Sequence, residues 1–152
     1  MPIDTGLIGK TMPELVMTIE AGRLQLFAEA TGQTDPVYLD REAAKAAGHP
    51  DLPVPPTFLF AIELEQPDPF AFLAELGVDL RSVLHGEQAF TYHSVAHAGD
   101  TLVAKTRIAD VYTKKGGALE FIVKVTEISK DDGTAVAEMT NVVVMRNLPG
   151  SK

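Results

Sequence analysis

Along the chain the spacing of hydrophobic positions changes once, near residue 83. Upstream of it, Leu24, Phe27, Ala28 and Thr31 recur at helical spacing. That pattern predicts a helix over 19–31, with Thr18 as its N-cap and Gly32 in the left-handed position beyond its end. A second, alanine-rich helix is expected over 41–47, capped by Asp40 and stopped by Gly48. The run from Gly32 to Tyr38 between them carries turn formers and is read as a linker. Pro50, Pro53, Pro55 and Pro56 force residues 49–56 into an extended loop. The segment 57–64 is apolar nearly all round, which predicts a helix buried on most sides. Residues 65–82 form a looser excursion with a short apolar helix at 70–76.

Downstream, apolar residues alternate as they do in half-buried strands. Strands are expected at 85–96, 101–112, 119–128 and 135–146. Phe90 and Tyr92 share a face in the first; Leu102, Ala104, Thr106 and Ile108 share one in the second, opposite Lys105 and Arg107. Gly99-Asp100, Lys115-Gly116-Gly117 and Asp131-Asp132-Gly133 are placed as hairpin turns, giving an antiparallel meander. Helices followed by strands point to an α+β fold. A sheet with one apolar face would bury it by curling around the hydrophobic helix at about 57–65.

The length of 152 residues suits a single domain, read here as 1–152. With 45% hydrophobic and 22% charged residues the chain has the composition of a folded domain, not a disordered one. No apolar run reaches the ~18 residues of a membrane span. The start of the chain lacks the basic and apolar regions of a signal peptide, so a cytoplasmic location is expected. There is no cysteine, which excludes disulfides, Cys-zinc sites and thiol nucleophiles. A net charge of −8, with no basic run longer than Lys114-Lys115, argues against nucleic acid and anionic membranes as partners.

Several chemistries fail on spacing. In a strand His85, His93 and His97 share a face, but four residues span roughly 13 Å at strand rise, and zinc ligands must lie ~2 Å from one metal. No metal is expected. Neither a Gly-x-x-x-x-Gly-Lys-Ser/Thr nor a Gly-x-Gly-x-x-Gly loop is present, and Ser82, Ser94 and Ser129 sit in no Gly-x-Ser-x-Gly setting.

Four strings, in order, carry a resemblance. They are Ala30-Thr31-Gly32-Gln33-Thr34-Asp35-Pro36-Val37-Tyr38, then Pro55-Pro56-Thr57-Phe58-Leu59, then Val83-Leu84-His85-Gly86-Glu87-Gln88 with Tyr92-His93, and Ala98-Gly99-Asp100-Thr101-Leu102. Over about residues 7–147 the chain resembles the MaoC-like hydratases and dehydratases, in the N-terminal or fatty-acid-synthase-type branch. That branch includes accessory subunits of heterodimeric (3R)-hydroxyacyl dehydratases. The resemblance implies a hot-dog fold, with residues 57–65 as the enclosed helix. It also implies a substrate that is an acyl thioester of coenzyme A or acyl carrier protein, with no cofactor. Active members carry Asp and His in the overhang segment, within Gly-Asp-x-Asn-Pro-x-His, and a backbone N–H at the start of the helix polarises the thioester carbonyl.

At both catalytic positions this sequence departs from the pattern. Gln33 replaces the Asp and Tyr38 the His, while Asp35 stands at the Asn position. Glutamine is no base near neutral pH, and tyrosine, with a reference pKa of about 10, is a poor one. The expected function is therefore the accessory, acyl-chain-holding component of an (R)-specific enoyl-thioester hydratase or 3-hydroxyacyl-thioester dehydratase. Its partners would be a catalytic MaoC-type subunit in a heterodimer, or a second copy in a homodimer. The alternatives are a stand-alone hydratase, with Asp35 and His85 as fallback catalytic residues, and a non-enzymatic acyl-thioester binding module. Substrate contacts are expected from Gln33, Asp35, Tyr38, Pro56, Thr57 and His85. Gln33, Asp35 and Tyr38 equally suit capping and packing of the loop, and His85 equally suits a hydrogen-bonded strand position. Lys114 and Lys115 either end a solvated hairpin or attract the phosphates of the carrier arm.

Overall fold

The computed structural model describes residues 2–147; Met1 and residues 148–152 of the expected domain lie outside the described residues. Five antiparallel strands make one curved sheet: β1 (Leu15–Thr18), β2 (Val83–Tyr92), β3 (Thr101–Lys114), β4 (Leu119–Lys130) and β5 (Ala135–Arg146). Their spatial order is β1-β3-β4-β5-β2. β3, β4 and β5 form the meander that their alternation predicts, joined by short turns. The meander does not extend to β2, which pairs with β5 instead of β3. Gly99-Asp100 is a turn, but not a hairpin between neighbouring strands. Residues 93–100 leave the ladder after Tyr92 and bond to the proline-rich loop: Val54 N–H donates to Ala96 O, and Ala98 N–H to Leu52 O. The small, buried Ala96 and Ala98 allow that close backbone approach. The short strand β1 escaped the hydrophobic pattern because Val16 points outward and is exposed.

Helix α1 (Ala21–Ala30) starts later than expected. Thr18 belongs to the sheet opposite Thr101, and Ile19 N–H donates to Asp100 O, so Glu20 stands at the N-cap without a side-chain cap bond. Leu24 and Ala28 are buried; Thr31 is exposed, its hydroxyl returned to Phe27 O at 2.8 Å. Helix α2 (Arg41–Ala46) begins as predicted at Asp40, whose carboxylate accepts the N–H groups of Glu42 and Ala43. Helix α3 (Ala71–Glu75) follows the excursion after residue 65.

The enclosed segment Pro56–Leu64 winds as a 3-10 helix, not an α-helix. Phe58, Leu59 and Ile62 are buried against the concave sheet face, beside Leu102, Ala104, Ile128 and Met139. Leu64 is 49% exposed and Glu63 is buried in its stead. The helix is apolar on nearly every side because one side meets the sheet and Leu64 borders an open cleft. A second apolar cluster, around Ile108, Val111, Ile122 and Met145, is covered by Phe72 of α3 and by Leu7 and Met12 of the N-terminal arm.

The register of the sheet steps at three places, one of them between Ile128 and Ser129 where β4 pairs with β5, and the other two bear on the cleft. In β2 the register steps between His85 and Glu87, and in β3 between Ile108 and Asp110. Both fall on one transverse row, Glu87–Val142–Val123–Asp110. A bulge bends its strand and re-aims side chains. Here it puts His85 and Gln88 on the same face, opposite Val143 and Asn141. Gly86 is required at that step: a Cβ there would lie 2.6 Å from Val144 Cγ2 and 3.2 Å from Val142 O.

Candidate functional site

A cleft of ≈ 440 Å³ opens between the 3-10 helix, α3 and the concave face. Phe60 and Leu64 line it from the 3-10 helix, Phe72 and Leu73 from α3, Met12 from the arm and Val143 from β5. This size lies within the roughly 300–1,000 Å³ typical of small-molecule sites, and apolar walls with a few fixed polar groups are their usual chemistry.

Several of the polar groups form one transverse row on the concave face. Gln88, Asn141 and Lys124 are cross-strand neighbours in β2, β5 and β4. Asn141 is 5% exposed and donates from Nδ2 to Gln88 Oε1 at 3.0 Å. Its Nδ2 also lies 3.0 Å from His85 Nε2, which is in turn 3.1 Å from Glu87 O. One ring nitrogen cannot accept and donate at once: unprotonated, Nε2 accepts from Asn141, and protonated, it donates to Glu87 O. Phe60 stacks on the His85 ring at 5.6 Å and 20°, fixing its plane.

Across the cleft floor, Lys124 Nζ donates to Glu63 Oε2 at 3.1 Å, with side-chain exposures of 14% and 8%. Thr126 Oγ1 donates to Glu63 Oε1 at 2.9 Å, so the Thr106 hydroxyl, 2.8 Å away, donates to Thr126. The carboxylate is thus held on both oxygens. Lys124 also lies over the Phe72 ring, 5.8 Å from its centroid. Glu63, Lys124, Thr106, Asn141 and His85 all line the cleft.

The overhang residues are placed differently. Gln33 is exposed, and its Oε1 accepts the N–H groups of Thr34 and Asp35 at 3.0 and 3.1 Å. Asp35, also exposed, accepts Val37 N–H at 3.1 Å and opens a short 3-10 turn over Pro36–Tyr38. Tyr38 is half-buried. Of the residues expected to touch substrate, His85 alone lines the cleft; Pro56 lines a smaller hollow of ≈ 250 Å³ with Tyr92 and His93. Gln33, Asp35, Tyr38 and Thr57 line neither within this chain, so neither cavity brings Asp35 and His85 together.

His97 pairs with His49, Nε2 to Nδ1 at 2.9 Å. Among the described residues no group of three His, Asp or Glu side chains is arranged to hold a metal ion, and no helix is long and apolar enough to cross a membrane. Lys114 stands over the stacked rings of Tyr112 and Phe121, at 5.5 and 5.1 Å from their centroids, away from the cleft lining.

Residues 6–139 match the family model described as the FAS1-like dehydratase domain region. The chain belongs to that family. Its relatives include a UPF0336 protein of Saccharopolyspora erythraea, 34% identical over 148 residues that cover 96% of this chain and 93% of that one. Another, from Streptomyces coelicolor, is 39% identical over 118 residues, 76% of this chain and 78% of that one. Among solved structures, the C-terminally truncated HadBC (3R)-hydroxyacyl-ACP dehydratase complex of Mycobacterium tuberculosis superposes with a TM-score of 0.75 at 24% identity, covering 91% of this chain and 96% of that one. The ChsH1–ChsH2 complex of the same organism gives 0.74 at 23%, over 93% and 86%. These likenesses establish the hot-dog fold of the MaoC-like dehydratases.

Sequence inspection flagged His85 and missed Glu63, Lys124 and Asn141. Glu63 interrupts an apolar run, and Lys124 and Asn141 each stand at a strand position whose parity is that of the core. A charged or amide side chain at a core-parity position is the signal that could have found them.

Proposed function

We propose that this chain is the accessory, acyl-chain-holding subunit of an (R)-specific enoyl-thioester hydratase or 3-hydroxyacyl-thioester dehydratase. One observation carries the reading. The chain has an apolar cleft bounded by the enclosed 3-10 helix, while the family's acid–base positions hold Gln33 and Tyr38, whose surroundings are those of turn and packing residues. The acyl portion of a CoA or carrier-protein thioester lies in the cleft, and the proton transfers fall to the Asp and His of a MaoC-type partner. Heteromeric assembly of HadBC and of ChsH1–ChsH2 supports a two-subunit arrangement. So does β2, which among the described residues is an edge strand paired with β5 alone, its outer edge open to extend a sheet into a neighbouring subunit.

The test is crotonyl-CoA hydration by the purified chain, alone and with a MaoC-type subunit that retains Asp and His. Negligible turnover alone and a rise in the partner's activity on mixing is the expected result. Efficient turnover alone overturns the accessory role. No effect on the partner leaves a binding module instead.

A further inference from the structure

The polar band in the cleft is incompletely satisfied. Among the described residues Lys124 has one hydrogen-bond partner, Glu63, for its three ammonium protons. Asn141 uses its Nδ2 on Gln88 and His85, and among the described residues no donor reaches the carbonyl oxygen of this cleft-lining side chain. Next to Asn141 but outside the cleft lining, Gln88 Nε2 is buried with no partner among the described residues. Buried polar groups in proteins are nearly always paired, and leaving one dry is costly, most of all a charged one. A plain alkyl chain filling the cleft would exclude water from Lys124 and Asn141 and return nothing to either.

We propose that the cleft selects an acyl chain carrying a hydroxyl group in its tail, seated between Lys124 Nζ and Asn141 Oδ1. The inference rests on the acyl-cleft reading above and names its substrate class. Lys124 and Asn141 are directly opposite one another in β4 and β5, a relation that puts Cβ atoms about 4.5–5.5 Å apart. A hydroxyl both donates and accepts, so its proton goes to Asn141 Oδ1 and its oxygen receives an N–H of Lys124. The pairing of Lys124 with Glu63 makes the site neutral in sum, which suits an uncharged hydroxyl over a terminal carboxylate. Glu63 acts as a positioning residue: held by Thr126 and backed by Thr106, it fixes the ammonium without reaching the ligand. The apolar remainder of the cleft, from Phe60, Leu64, Phe72 and Leu73, holds the methylenes on either side.

Calorimetric titration of the full chain with decanoyl-CoA, and with decanoyl-CoA isomers hydroxylated at successive tail carbons, tests this. One isomer is expected to bind about tenfold or more tightly than decanoyl-CoA, the gain of a hydrogen bond to a charged group. In Glu63→Leu/Lys124→Met, which exchanges the ion pair for apolar volume and strands neither charge, the affinity ratio of the preferred hydroxylated isomer to decanoyl-CoA is expected to fall to about one. Asn141→Leu is expected to erase the same preference independently. Equal binding of all isomers by the wild-type chain, or a preference that survives both variants, overturns the hydroxyl subsite while leaving the acyl cleft standing. Absence of binding by decanoyl-CoA and every isomer overturns the acyl-cleft reading and the subsite with it.

Discussion

His49 Nδ1 lies 2.9 Å from His97 Nε2, tying the loop after α2 to the segment between β2 and β3. The bond requires one ring nitrogen to accept, so at least one of the two rings must be neutral. Burial holds His97 below its ordinary value of 6.5, and the neighbouring His49 adds to the depression, as does Lys130; Asp100 and Asp51 pull the other way. A base whose folded pKa is depressed contributes stability above its unfolded pKa and loses it as pH falls through the folded one. Folding stability is therefore expected to drop as pH falls below about 6.5. Urea midpoints of the wild type and His97→Asn across pH 5–8 check this: the variant should show the flatter profile below 6.5, and superimposable profiles would remove the pair from the account.

The enclosed 3-10 helix separates two kinds of apolar position. Ile62 is fully buried and Leu59 is 3% exposed, whereas Leu64 opens onto the cleft. Ile62→Ala and Leu59→Ala should each cost about 2–5 kcal/mol, the range for emptied core sites. Leu64→Ala should cost under about 1.5 kcal/mol, because only about half of its surface is removed from water. Chemical denaturation of the three variants measures the difference; equal costs at all three positions would contradict the cleft.

Much of the architecture was legible because its periods are clean. The row Leu102–Ile108 alternates without interruption, Asp40 caps its helix as a short acceptor should, and the overhang strings carried the family. Strand order was not legible. Whether β2 pairs with β3 or with β5 depends on where residues 93–100 run, and their partners, Leu52 and Val54, lie in a proline-rich loop whose pattern says only that it is extended. The polar band was hidden for a related reason. Glu63 read as the polar exception on an apolar helix, and its partners Lys124 and Thr126 lie some 60 residues away. A charge pair assembled by tertiary contact has no local spacing to betray it. His85 was visible through its motif, but its alignment with Gln88 comes from the bulge at Gly86, a register feature that period-two reading cannot show.

That bulge makes a prediction of its own. Gly86→Ala places a methyl 2.6 Å from Val144 Cγ2, closer than side chains pack, with backbone Val142 O at 3.2 Å behind it. Either β2 shifts away from β5 or Val144 leaves its rotamer, and overpacking of this kind costs about 1–3 kcal/mol. The displacement also moves His85 relative to Asn141, so the variant should lose acyl-CoA affinity together with stability. Thermal unfolding and calorimetric titration measure the two losses; a variant as stable as the wild type would show that the step tolerates a side chain.

The sharpest expectation concerns proton transfer. General acid–base assistance is worth about 10²–10⁴-fold, and in the proposed reading Gln33 and Tyr38 stand where the family's groups would supply it. Their present contacts leave room for restoration. Gln33 Oε1 accepts two backbone N–H groups, from Thr34 and Asp35, and an Asp at that position is itself a strong acceptor for backbone N–H groups two residues on. Tyr38 is half-buried, and His is smaller, so the exchange removes volume without forcing the loop open. Gly32, with φ of 72°, and Pro36, which opens the 3-10 turn, are untouched by either change. Gln33→Asp/Tyr38→His is thus expected to gain measurable crotonyl-CoA hydration over the wild type, with neither single variant matching it, because the pair must act on one water. A wild-type chain already efficient, and unaffected by Gln33→Ala, would instead place the chemistry elsewhere in the molecule, and His85, set in the cleft wall and stacked on Phe60, would be the first residue to replace.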